Sequence, residues 1–108
     1  MDTPYIYIND AKIEPTEPTM GVWRRFMKLT EKQTGDIKVS EFTDNAIDMI
    51  VLVFNDKRVT KESIDEYVKV SEIVPLARKL AGWMQSLVFE KLNDIPNEEG
   101  AQEGEKQD

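Results

Sequence analysis

The chain of 108 residues contains no cysteine and no histidine. These two absences remove thiol nucleophiles, thiolate and imidazole metal ligands, the Ser-His-Asp relay and the usual proton-transfer base near neutral pH. A disulfide-stapled secreted scaffold is excluded with them. Long apolar runs are missing too. The longest, Met49 to Phe54, falls far short of the ~20 residues that a membrane-spanning helix needs. The opening Met1-Asp2-Thr3-Pro4-Tyr5 has neither the positive nor the apolar region of a secretory leader. A soluble intracellular protein is expected, not an enzyme, with no metal and no cofactor, and no membrane partner.

Apolar residues make up 40% of the chain, enough for one domain with one modest core. Charge is unevenly placed. Of the formal net charge of −7, residues 93–108 carry −5, leaving −2 for residues 1–92. A nearly balanced folded part gives no electrostatic support for binding nucleic-acid phosphates, so no nucleic-acid partner is expected.

Tyr5-Ile6-Tyr7-Ile8 and Lys12-Ile13 flank Asn9-Asp10-Ala11, and β-branched and aromatic residues on either side of an Asn-Asp turn predict a short β-hairpin. Thr19 is placed to cap a first helix with Val22, Trp23, Phe26, Met27 and Leu29 on the helical period. Arg24, Arg25, Lys28, Glu31 and Lys32 fill its other face. Gly35 suits a left-handed stop. A second helix is expected to begin at Ser40 or Thr43, expose Asp44, Asn45 and Asp48, and become apolar on every side from Met49 to Phe54, the centre of the core. After a break at residues 55–60, Thr60 can cap a short third helix, with Val59 and Ile64 spaced as a hydrophobic staple. A long fourth helix should carry Pro75 in its first turn, where the ring costs least. Leu76, Leu80, Trp83, Met84, Leu87 and Val88 form its apolar stripe. Residues 93–108 are rich in breakers and acids and are expected to be disordered. The predicted architecture is mainly α: a domain of three to four helices with an N-terminal hairpin over residues 1–92, then an acidic tail over 93–108.

Chemistry-bearing constellations are weak. Phe54 to Glu62 superficially resembles a helix-loop-helix calcium site, but Thr60, sixth from Asn55, stands where such a loop needs Gly, and Lys57 and Arg58 bring positive charge to the cation's place. Asp44 and Asp48 share a helix face by their spacing, yet no nucleophile or Gly-rich phosphate loop accompanies them, and a solvated face is the simpler reading. Large adaptable side chains, Trp23, Phe26, Met27, Trp83, Met84 and Phe89, belong mostly to the core. The functional expectation is that one stripe stays partly exposed as a sticky surface. The fourth helix, through Trp83, Met84, Leu87 and Val88, is the candidate partner-binding face.

The order of parts carries a resemblance. A Tyr-Ile-Tyr-Ile-Asn-Asp-Ala-Lys hairpin precedes Pro18-Thr19-Met20, which opens a helix containing Trp23-Arg24-Arg25-Phe26-Met27-Lys28-Leu29-Thr30. An apolar helix ending in Val53-Phe54 follows, and Val59-Thr60-Lys61-Glu62-Ser63-Ile64 opens the next. Over residues 4–92 this layout resembles the tail assembly chaperones of siphophages and related prophages. That family usually places Gly in the hairpin, where Asp10-Ala11 stands here.

The resemblance implies a helical, non-enzymatic protein of the host cytoplasm that is absent from the mature virion. Its partner would be the tape measure protein, a long helical chain kept soluble until the tube polymerises around it. Many such chaperones also exist in a longer form made by ribosomal frameshifting, whose extra domain recruits the tail tube protein; the acidic tail would suit such an addition as a linker. Oligomeric state, homo-oligomer included, is left open. A generic helical adaptor of another intracellular complex would share this layout, and neighbouring genes would discriminate the two.

Overall fold

In a computed structural model that describes residues 2–90, a two-stranded hairpin, β1 (Ile6–Ile8) and β2 (Ala11–Ile13), precedes four helices. These are α1 (Met20–Glu31), α2 (Val39–Phe54), α3 (Lys61–Tyr67) and α4 (Val70–Val88). The fold is mainly α, as expected, and the tail expected to be disordered lies outside the described residues.

The hairpin pairs Ile6 with Ile13, Tyr7 with Lys12 and Ile8 with Ala11 in antiparallel register. Its two turn residues, Asn9 and Asp10, have φ of 49° and 67°. Positive φ at both positions is what a tight turn matched to strand twist requires, and Asn and Asp tolerate it better than other side chains. Alternation along the strands turns Ile6, Ile8 and Ile13 into the core and leaves Tyr5 and Tyr7 outside.

α2 is the central element, packing against α1, α3 and α4. Ala46, Met49, Ile50, Val53 and Phe54 are buried, while Ile47, Val51 and Leu52 are partly buried against the same cluster. The all-round apolar end is therefore covered by neighbours, as its composition demands. The start differs from expectation. Lys38, not Ser40 or Thr43, is the N-cap, and its N–H donates to Glu41 Oε1 at 3.2 Å. Thr43 instead lies inside the helix, its hydroxyl donating to the carbonyls of Val39 and Ser40. Asn45 also departs from expectation. It is buried, and its Nδ2 donates across to the Leu29 carbonyl of α1 at 2.7 Å. A buried amide so paired avoids the cost of an unsatisfied polar group and ties α2 to the last turn of α1.

α1 opens at Thr19, whose Oγ1 accepts from the Val22 N–H at 3.4 Å. Phe26 is fully buried, with Val22, Trp23, Met27 and Leu29 packed beside it. The N–H groups of Lys32 and Gln33 close the end by bonding back to the Leu29 and Thr30 carbonyls. Gly35 does adopt a left-handed φ of 79°, but beyond that closing turn, so it shapes the connection to α2 and is not the C-cap.

Between α2 and α3 the break is tightly made. Asn55 terminates α2 in the left-handed region, and Asp56 accepts from the Arg58 backbone N–H at 2.8 Å and from Arg58 Nε and Nη2 at 3.0 and 2.9 Å. With both oxygens of Asp56 engaged by a guanidinium, the segment is an interhelical turn in form. Thr60 Oγ1 then accepts from Ser63 N–H at 3.0 Å while Ser63 Oγ accepts from Thr60 N–H at 2.9 Å, a reciprocal cap. Val59 and Ile64 are both buried in the core, as the staple spacing predicts.

α4 begins earlier than its proline implies. Val70 is its first residue and Lys69 its N-cap, so Pro75 lies in the second turn and not the first. The ring removes the N–H that would bond the Ser71 carbonyl. Ser71 and Pro75 are both exposed, so water can serve that carbonyl. The buried positions Ile73, Leu76, Ala77, Leu80, Trp83 and Met84 follow the helical period onto α2.

Candidate functional site

A concavity lies where the hairpin meets the junction of α3 and α4. It is an open groove of about 840 Å³. Residues 2–7 form one wall; Tyr67, Val68 and Lys69 form the end, and Glu72, Pro75, Leu76 and Lys79 line the α4 side. Each wall follows from local structure. Strand alternation puts Tyr5 and Tyr7 on the outer face, where their rings meet edge to face with centroids 5.5 Å apart. Lys12, the cross-strand partner of Tyr7, holds its Nζ 4.6 Å from the centroid of Tyr5, a cation–π contact that steadies the ring. Tyr67 is the last residue of α3, and the extended backbone of Val68 turns the chain into α4. On α4, the spacing of Glu72, Pro75, Leu76 and Lys79 brings them to one side.

The groove's chemistry is that of a grip. Tyr5, Tyr7 and Tyr67 are about half exposed. Asp2, Glu72, Lys69 and Lys79 supply two charges of each sign. Phenol faces and a proline ring offer apolar contact with polar tips, a combination enriched where proteins meet.

The stripe singled out in the sequence is placed otherwise. Trp83 and Met84 are 5% and 1% exposed, packed in the core, so the expectation of an exposed face there is corrected. Leu87 is partly buried against the same cluster; Val88 is 51% exposed, with exposed Phe89 next to it. The four do not form one accessible surface. The physical reason is that α2 lies along α4 and covers its stripe. Tyr67 reads in sequence only as an apolar position of α3, and no local signal tells that Tyr5 and Tyr7 will stand beside it. Among the described residues, no group of three or more Asp or Glu is placed to hold a metal ion, and no helix is long and apolar enough to cross a membrane.

No family model matches the sequence, and searches of curated proteins and of solved structures gave no match either.

Proposed function

We propose that this protein is a tail assembly chaperone of the siphophage type, which holds the helical tape measure protein soluble and grips it at the tyrosine-lined groove. The observation that carries the reading is the concentration of exposed Tyr5, Tyr7 and Tyr67 around one concavity, on a small helical domain whose order of parts resembles that family. A long helix with an uncovered apolar face aggregates unless something covers it, and half-exposed tyrosines can cover it without becoming a sticky core themselves. The protein would act in the host cytoplasm and be absent from the finished virion. In a frameshifted longer form, an added domain would recruit tail tube subunits.

Co-expression with a tape measure protein, whose long gene is expected directly downstream, tests the proposal. The partner's soluble yield should rise and the two should co-purify, and Tyr67→Ala combined with Tyr7→Ala should cut the captured partner at least several-fold while the variant stays folded. Failure of the intact chain to bind any tape measure protein overturns the chaperone reading in favour of a generic adaptor. Capture undiminished by the tyrosine changes moves the grip away from this groove.

A further inference from the structure

The outer face of α1 bears an unbalanced positive stripe. Arg24, Arg25, Lys28 and Lys32 are all exposed, at spacings that keep them on one side of the helix, and Glu31 is the one acid beside them in the sequence from Met20 to Lys32. Among the described residues the ion pairs are Lys12 with Glu14 and Arg58 with Asp56, so none of the four cations of the stripe has a carboxylate within 4.0 Å there. Such a concentration stands out on a chain of net charge −7. The complementary charge is in the same chain: Asp94, Glu98, Glu99, Glu103, Glu105 and Asp108 against Lys106 alone.

We infer that the acidic tail, residues 93–108, docks electrostatically along the basic stripe of α1. The acidic run is long enough to match the stripe. From Arg24 to Lys32 the stripe is ~12 Å long at 1.5 Å per residue. The run Glu98 to Glu105 spans up to ~25 Å when extended, so it can lay its four acids along the whole stripe. Glu98 is eight residues past Glu90, the last described position, a tether that reaches up to ~28 Å. A tethered segment meets its target at an effective concentration in the millimolar range, so pairs that are individually weak at the surface act together. The stripe lies on α1, outside the groove lining, so the contact does not depend on the chaperone reading.

Because the chain has no cysteine, Gln102→Cys in the full-length protein gives one spin-label site. At about 20 mM salt, the amide signals of Arg24 to Lys32 should lose at least half their intensity, and those of α3 should keep theirs. At about 1 M salt, where the screening length falls to ~3 Å, the loss should vanish. Changing Arg24, Arg25, Lys28 and Lys32 to Gln should abolish the broadening. Should that variant not fold, changing Glu98, Glu99, Glu103 and Glu105 to Gln makes the same test without touching the folded part. Broadening no stronger on α1 than on α3, or broadening that survives either neutralised variant, overturns the inference. A sample mixing labelled, unenriched protein with unlabelled, isotope-enriched protein separates cis from trans: broadening of α1 there overturns the self-contact and assigns the tail to a second copy.

Discussion

The packed stretch Leu80–Met84 of α4 and the start of the same helix keep very different amounts of apolar surface from water. At its C-terminal half, Leu80, Trp83 and Met84 are packed into the core, whereas at its N-terminal end Val70 is almost fully exposed, with Tyr67 about half exposed just before it. Apolar periodicity alone favours the C-terminal half as the larger sticky surface, and in a free helix it would be. The difference lies in the neighbours. α2 lies along α4 and takes up its stripe, while the start of α4 faces the open groove beside the hairpin. Periodicity says which residues share a face; only the packing of a second element says whether that face remains for a partner.

Truncating the covered end and the open end should therefore give opposite results. Trp83→Ala, and likewise Phe54→Ala on the α2 side, should each cost ~3–5 kcal/mol of stability, since both remove a large buried ring from a close-packed core. Tyr67→Ala should change stability by less than ~1 kcal/mol, its ring being half exposed. Chemical denaturation of the three variants measures this directly. If Trp83→Ala proves harmless and Tyr67→Ala unfolds the protein, the assignment of the two ends is reversed.

What was legible in the sequence was local. The cap at Thr60, the staple of Val59 and Ile64 and the Asn9-Asp10 turn each involve residues within a few positions of one another, so the physics that forms them is written contiguously. Asn45 was not legible. Mid-helix Asn reads as a solvent-facing residue, and only the arrival of the Leu29 carbonyl, sixteen positions earlier, makes its burial favourable. The groove was illegible for the same reason: three tyrosines from two distant segments meet only in the folded chain. The early start of α4 belongs with these, because tertiary burial of Ile73 and Leu76 outweighs a proline that local propensity would place at the helix entrance.

Pro75 sharpens the comparison within the open end itself. It interrupts the hydrogen-bond ladder in the second turn of α4 and also lines the groove. Pro75→Ala should restore the bond to the Ser71 carbonyl and stabilise the protein by ~1–2 kcal/mol, the helix-interior penalty of ~3 kcal/mol being partly offset by greater freedom of the unfolded chain. A raised thermal midpoint together with weakened partner capture would show that the proline is kept for the shape of the groove. A lowered midpoint would mean that the ring's packing outweighs the missing bond.

The smallest effect is expected at the turn between α2 and α3, which faces solvent. The hydrogen bonds from the Arg58 side chain, then that from its backbone N–H, hold the Asp56 carboxyl at about 2, below its ordinary 3.8. A depressed carboxyl contributes stability that is full above the unfolded value, near pH 4, and is lost as pH falls toward 2. Asp56→Asn should accordingly lower the thermal midpoint slightly at pH 7 and progressively less as pH falls from 4 through 2, and the pH 7 difference should shrink in high salt because the pair is exposed. An NMR titration of the Asp56 carboxyl carbon provides the decisive reading. A midpoint near 2 supports the forked contact with Arg58, whereas one near 3.8 would show that the guanidinium does not hold that carboxylate in solution.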